Sequence, residues 1–357
     1  MRKAITSAEQ VTPEWLAEIL SVPIKKVNCS RHTTTWFADI SFLKVDYSDQ
    51  APKSAPTRLF LKISKPDLGP ADLLCGKKEV EFYNTIANAM DAPPLVRCHD
   101  AVYAPDTGQS HVLLDDLSET HFQPQHPLPP SRLNCELAMD CLARFHAHWW
   151  EHPRLGTDIG KLCSNGISNV EAFGFPRSLH ETEEMFPNFV DFLGDRLSAV
   201  RRGLYEQVLS SWPFSRLSER LTKRRSITLI HRDAHAWNFF YPRDPERDGV
   251  CIIDWHEWTI SLGTNDLTEM IVLWWYPERR ARMEESLVRR YHRRLMEHGV
   301  KDYDWEQCWN DYRLSAISIL LYPIWMHAEG RPPTFWWPIL ERSILAFQDL
   351  ECGDLLE

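Results

Sequence analysis

The stretch His231-Arg232-Asp233-Ala234-His235-Ala236-Trp237-Asn238, followed by Ile252-Ile253-Asp254-Trp255, decides how the rest of the chain is read. Ahead of it Ser226-Ile227-Thr228-Leu229-Ile230 is a short β-rich run. Behind it Phe239-Phe240-Tyr241 is another, broken by the turn Pro242-Arg243-Asp244-Pro245, and Val250-Cys251-Ile252-Ile253 makes a third that ends on an acid. Asp233, Asn238 and Asp254 therefore sit at strand ends and in the loop between strands, where a rigid scaffold aims side chains at one point.

That spacing has a chemical reading. Phosphoryl transfer needs an acceptor for the proton of the attacking hydroxyl, and hard oxygen ligands that hold Mg²⁺ against a triphosphate. His-Arg-Asp followed after four residues by Asn is the catalytic-loop pattern of kinases, and an Asp closing an apolar strand soon afterwards supplies the main metal carboxylate. Asp233 is then the base, and Asn238 and Asp254 are the metal ligands.

The string Leu229-Ile230-His231-x-Asp233-x-His235-x-x-Asn238, then Ile253-Asp254-Trp255, then Gly263-Thr264-Asn265-Asp266-Leu267, resembles the signature of the aminoglycoside phosphotransferase and choline kinase-like small-molecule kinases. The resemblance implies an α+β, bilobal protein-kinase-like fold. A small N-lobe with an antiparallel sheet and a helix would span residues 1–113, a hinge and proline-rich connection 114–130, and a larger, mainly helical C-lobe 131–357. It also implies ATP or GTP as phosphate donor, Mg²⁺, and a small-molecule alcohol as acceptor. His235 would neighbour the transferring phosphate, and Asp266 would bond the backbone of the catalytic loop.

Composition narrows the field. The 357 residues suffice for two lobes, each with its own core. At 43% hydrophobic and 25% charged residues the chain is an ordinary soluble globular protein. A net charge of −10 disfavours nucleic acid or an anionic membrane as partner. Nine cysteines without a C-x-x-C pair suggest reduced thiols in a cytoplasmic protein. The N-terminal residues lack the apolar core of a signal peptide, and no run reaches the ~18 apolar residues of a membrane span.

In the first third, Thr12 and Pro13 read as N-cap and first-turn proline of a helix to about Leu20. Val27 to Tyr47 and Thr57 to Ile63 read as a small antiparallel sheet, with a surface turn over 48–56. The phosphate-covering hairpin would be Ser30-Arg31-His32-Thr33-Thr34-Thr35-Trp36, which carries hydroxyls, notably Ser30, Thr33 and Thr34, where many kinases have glycines; a plain edge hairpin is the competing reading. Lys62 lies inside an apolar strand, where a charge needs a partner, and is preferred over Lys44 as the phosphate-orienting lysine. Its carboxylate partner is Glu79, with Glu81 as alternative, on a helix beginning at Cys75 and running to about Ala89.

His111 to Leu117 is an apolar strand running into two acids, and the resemblance makes Leu114, Asp115, Asp116 and Leu117 the nucleotide hinge. The proline-rich 123–130 cannot form a regular element. Beyond it helices dominate: Asn134 to Trp150, two or three between Glu181 and Leu221 broken near Gly194 and at Trp212-Pro213, then Asp266 to Trp275, Glu278 to His298, Trp305 to Ile324 and Trp336 to Leu350. The arginines from Arg279 to Arg294 read as a solvated basic face. His146, His148 and His152 read as packing or solvated residues, because i and i+2 do not share a helix face.

Three rivals remain. A metal hydrolase built on His231, Asp233 and His235 has no use for Lys62, the helix glutamate or the hinge. A protein kinase needs a long activation segment, but only eleven residues separate Asp254 from Asp266. A catalytically silent nucleotide-binding protein is compatible with the glycine-poor hairpin. Substrate candidates are Trp255, His256, Glu257 and Trp258, directly after the metal Asp, and Trp274, Trp325 and Trp336, whose ring faces can hold an apolar ring or a cationic nitrogen. Core packing is the competing fate of each.

Overall fold

In the computed structural model, which describes residues 3–66, 68–160, 179–211 and 214–356, the β-branched and aromatic runs of the first third form an antiparallel sheet. Its strands are β1 (Ile24–Thr34), β2 (Ala38–Tyr47), β3 (Arg58–Ser64), β4 (Cys98–Tyr103) and β5 (Ser110–Asp115), in the order β1-β2-β3-β5-β4. Along β3 the pleat separates buried Leu59, Leu61 and Ile63 from half-buried Phe60 and Lys62. The buried set packs with Leu16 of helix α1 (Pro13–Leu20) and with Ile5, Leu43, Val45 and Leu113. Thr12 caps α1 by accepting the Trp15 N–H, and Pro13 occupies the first turn, as the sequence indicates. Lys44 is exposed on β2.

Helix α2 (Pro70–Glu81) begins five residues before the expected Cys75. Pro70 starts it without needing an N–H partner, whereas the apolar periodicity becomes readable only further along. A π-helical turn, Phe82–Ile86, continues α2 and buries Phe82, Tyr83 and Ile86.

Shorter strands follow: β6 (His121–Phe122), β7 (Thr228–Ile230), β8 (Phe239–Pro242), β9 (Cys251–Ile252) and β10 (Thr259–Ser261). They pair as β6-β8-β9 and β10-β7. The chain divides into two compact units, Met1–Gln123 with Phe240–Glu257, and Pro124–Phe239 with Trp258–Glu357. The segment that ends on Asp254 therefore packs with the N-terminal sheet.

The second unit is mainly helical: α3 (Arg132–Trp149), α4 (Leu179–Leu193), α5 (Ala199–Ser210), α6 (Phe214–Lys223), α7 (Thr264–Ile271), α8 (Pro277–Glu297), α9 (Trp305–Ile319), α10 (Tyr322–Ala328) and α11 (Pro333–Asp349). A short turn, Gly194–Arg196, supplies the expected break after α4, with Gly194 at φ +56°. The break expected at Trp212-Pro213 lies outside the described residues. The single helix expected over Trp305 to Ile324 is two, because Pro323 can take a first-turn place in α10 but not an interior one.

The arginines of α8 correct the expectation of a solvated basic face. Arg282, Arg289 and Arg293 are exposed and paired along the helix. Arg280, by contrast, is 1% exposed and bonded to Glu284 at 2.7 Å and to Asp349, and Arg290 forks onto Asp140 with two 2.7 Å bonds. Among the described residues the cysteines are free thiols, and no helix is long and apolar enough to cross a membrane.

Gly263, ahead of α7, is a packing requirement. A Cβ there would run into the Tyr291 hydroxyl and lie 3.0 Å from His146 Nδ1. Gly263→Ala is expected to destabilise the protein by about 1–3 kcal/mol, as overpacking of a filled core does. Urea unfolding checks this, and an unchanged midpoint would contradict it.

Candidate active site

In the first unit the pleat of β3 points Lys62 away from the Leu59-Leu61-Ile63 core. Its Nζ lies 2.9 Å from Glu79 Oε2 and 2.6 Å from Asp254 Oδ1. Glu79 is buried in the last turn of α2, and Asp254 follows β9 with φ +67°, a left-handed backbone held at a non-glycine residue. Burial by itself would strip the lysine of its proton, but the charges of Asp254 and then Glu79 outweigh it, so the ammonium is held above its ordinary range. Burial works against the charged form of Asp254 too, and the Lys62 and His256 charges overcome it, holding that carboxyl well below the usual carboxylate range. His256 Nδ1 donates to Asp254 Oδ1 at 3.0 Å.

In the second unit the loop between β7 and β8 carries Asp233, His235 and Asn238. Asn238 Nδ2 donates to the Asp233 carbonyl at 2.8 Å and to Asp233 Oδ2 at 3.0 Å. That orientation turns the Asn238 carboxamide oxygen away from Asp233. His235 Nε2 stands 3.6 Å from Asp233 Oδ2, and its ring lies against Trp237 and Trp274. His231 Nδ1 accepts the Asp233 N–H at 3.2 Å.

Asp266, fully buried at the start of α7, holds this loop in place. Its carboxylate accepts the His231 and Arg232 N–H groups at 2.8 Å each and His146 Nε2 at 3.1 Å. Since the carboxylate only accepts, His146 Nε2 carries the hydrogen and Nδ1 accepts from the Tyr291 hydroxyl at 2.9 Å. Arg232 sits at φ +66°, so this anchor fixes a left-handed residue immediately before Asp233.

Two residues were missed by sequence reasoning. His146, read there as packing or solvated, is an anchor whose only signal is its place on the apolar face of α3. Glu269 is buried in α7, where the Tyr322 hydroxyl donates to it; burial first, and then the nearby Asp233 and Asp266 charges, push its carboxyl well up. An acid beside Leu267, Met270 and Ile271 on a helix this apolar is its available signal.

The remaining expected residues divide. On the β1-β2 hairpin the Ser30 hydroxyl donates to the Phe42 carbonyl at 3.1 Å and Thr34 to Asp39, while Thr33 is exposed. Leu114 is buried at the end of β5. Asp115 faces His99 at 2.7 Å, and Asp116 takes Arg58 Nε at 3.1 Å. Both carboxylates are thus committed within their own unit. Their N–H groups are also used, by the Arg97 and Arg58 carbonyls at 3.0 and 3.3 Å. The Leu117 carbonyl in turn accepts the Thr120 and His121 N–H groups at 3.1 and 2.9 Å.

Among the substrate candidates, Trp255 is corrected to a core residue. It is 0% exposed, stacked on Phe82 at 4.0 Å, with its indole N–H on the Ile252 carbonyl at 3.2 Å. Trp258 is buried, Trp325 is buried with its N–H on Thr182 at 2.8 Å, and Trp336 is buried with its N–H on the Arg331 carbonyl at 3.0 Å, so packing is the role observed for all three. Trp274 is half-buried beside His235 and Trp237, and His256 and Glu257 are half-buried next to Asp254.

The profile of the ecdysteroid kinase-like family matches residues 71–301, a span that includes Glu79, the loop from His231 to Asn238 and Asp254. The chain belongs to the ecdysteroid kinase-like family. As a member it is a small-molecule kinase that transfers phosphate to a hydroxyl group. A Ralstonia eutropha JMP134 protein described as an aminoglycoside phosphotransferase has the same protein-kinase-like fold, with a TM-score of 0.55 and 14% identity over 97% of this chain and 98% of that one. A choline/ethanolamine kinase family protein from Mesorhizobium loti gives 0.49 and 11% over 96% and 98%. Plasmodium vivax ethanolamine kinase gives 0.46 and 11% over 90% and 81%. No curated protein sequence matches the chain.

Removing the Asp266 carboxylate leaves two main-chain donors and the His146 ring without their acceptor in a buried place. Asp266→Ala is expected to cost at least about 2 kcal/mol of stability, since each stranded buried donor costs about 1–3 kcal/mol. Chemical denaturation against wild type measures it, and a loss under about 0.5 kcal/mol would show that the loop does not hang on this carboxylate.

Proposed function

We propose that this ecdysteroid kinase-like protein transfers the γ-phosphoryl group of ATP, or of GTP, to a hydroxyl of a small organic molecule, with Asp233 as base and Asn238 and Asp254 as Mg²⁺ ligands. The observation that carries the reading is the single ammonium of Lys62 held by both Glu79 and Asp254 at 2.9 and 2.6 Å. A strand lysine fixed by a helix glutamate is the phosphate-orienting arrangement of kinases. The donor chemistry fits Mg²⁺: Asp254 commits Oδ1 to Lys62 and His256, leaving Oδ2, and Asn238 commits its amide nitrogen to Asp233, leaving its oxygen. When bound, the ion neutralises charge on the triphosphate.

The chain's own groups do the rest. Lys62 orients the α- and β-phosphates, and the stretch Leu114 to Leu117 meets the nucleotide base. Asp233, steadied by Asn238, orients the acceptor hydroxyl and takes its proton, and His235 stands beside the transferring phosphate. The transition state of such transfers is loose, so positioning and electrostatics contribute more than base strength. The lobe boundaries 1–113, 114–130 and 131–357 and a cytoplasmic location belong to the same reading, the latter supported by free thiols among the described cysteines.

Asp254→Ala is expected to abolish Mg·ATP turnover. Asp233→Asn is expected to keep nucleotide affinity within about twofold while kcat falls by roughly 10²–10⁴, the usual share of general-base catalysis. Titration calorimetry with Mg·ATP and ADP release over a panel of alcohols measure the two quantities. Equal losses in binding and rate for Asp233→Asn would contradict the role given to Asp233.

A further inference from the structure

Next to the Lys62 cluster lies a set of donors that phosphate transfer does not use. Cys75 projects from α2, the helix that bears Glu79, and His256 and Glu257 follow Asp254 directly. One donor atom from each of Cys75, His256 and Glu257 lies within 4.8 Å of the other two, and Cys75 Sγ is 3.9 Å from Glu257 Oε1. All three residues are half-buried. We propose that Cys75, His256 and Glu257 bind a transition-metal dication of the Zn²⁺ type, and that metal bound there inhibits phosphate transfer.

Three observations support the site. A sulfur, an imidazole nitrogen and a carboxylate oxygen are the donor set of Zn²⁺ and its neighbours, and a poor one for Mg²⁺. Three protein ligands with a water completing the tetrahedron is an ordinary zinc arrangement. The imidazole is also oriented: His256 Nδ1 donates to Asp254 Oδ1 at 3.0 Å, and with Nε2 as the ligating nitrogen this is the carboxylate-histidine-metal order that fixes ring and tautomer. On binding, the Cys75 thiol releases its proton to solvent and ligates as thiolate.

The inhibitory half rests on the kinase reading above. A metallated imidazole is a stronger N–H donor and holds Asp254 Oδ1 more firmly. The same metal ties α2, and with it Glu79, to the segment after Asp254. Both effects act on the carboxylates that grip Lys62. Neither requires a change in the catalytic loop.

The test uses the full chain after chelator treatment. Without nucleotide, Co²⁺ titration is expected to give one bound equivalent with thiolate-to-metal charge-transfer absorption. Cys75→Ala is expected to lose that absorption and to bind Zn²⁺ at least about tenfold more weakly, and His256→Ala to weaken binding by about 10–100-fold, with circular dichroism confirming that both fold. Persistence of the absorption in Cys75→Ala, or equal zinc affinity of wild type and both variants, would overturn the site whatever the protein's activity. In the presence of excess Mg²⁺ and ATP, Zn²⁺ is expected to slow phosphate transfer by wild type but not by Cys75→Ala, whose zinc-free turnover matches wild type. Equal inhibition of the two proteins would overturn the inhibitory role.

Discussion

One ammonium group between two carboxylates organises the first unit. Lys62 is half-buried on a strand whose other face is the hydrophobic core, so its charge persists only because Glu79 and Asp254 surround it. Each partner depends on the cation in turn, since a buried and a half-buried carboxylate side by side would repel without it. The sheet, the last turn of α2 and the loop after β9 are thereby tied to one point. The left-handed backbone of Asp254 is tolerated there because surrounding interactions over-determine it.

The loop between β7 and β8 in the second unit is held by the opposite arrangement, one carboxylate gathering several donors. Asp266 collects two main-chain N–H groups and a histidine whose other nitrogen is bonded to Tyr291. Every donor in that buried network is satisfied, which makes it stiff and intolerant of loss. Asp233 and Asn238 thus project from a loop whose backbone is set from below by α3, α7 and α8. Positioning of this kind is what phosphoryl transfer asks of a protein.

Local chemistry was legible where it acts locally. The cap and proline of α1, the strand runs on both sides of His231 to Asn238, and the break near Gly194 follow from a few adjacent residues. The start of α2 is not legible because its first turn carries no apolar rhythm, and the boundary between α9 and α10 is not, because a proline near a helix junction reads ambiguously. The tryptophans escaped for another reason. Trp255, Trp258 and Trp325 have the same chemistry whether they face a ligand or a core, and burial is decided by what packs on them.

From the residues themselves came the kinase-like spacing of His231 to Asn238 and the preference for Lys62 over Lys44, because motif spacing and a charge in an apolar strand are properties of short stretches; the expectation that Asp266 bonds the loop backbone came with the family resemblance. The meeting of Lys62 with Asp254, 192 residues away, the capture of His146 by Asp266 across 120 residues, and the bond of buried Arg280 to Asp349 across 69 residues were decided by the tertiary structure. Those pairings join elements distant in the chain, and a charge or a ring finds its partner only when packing brings the two faces together.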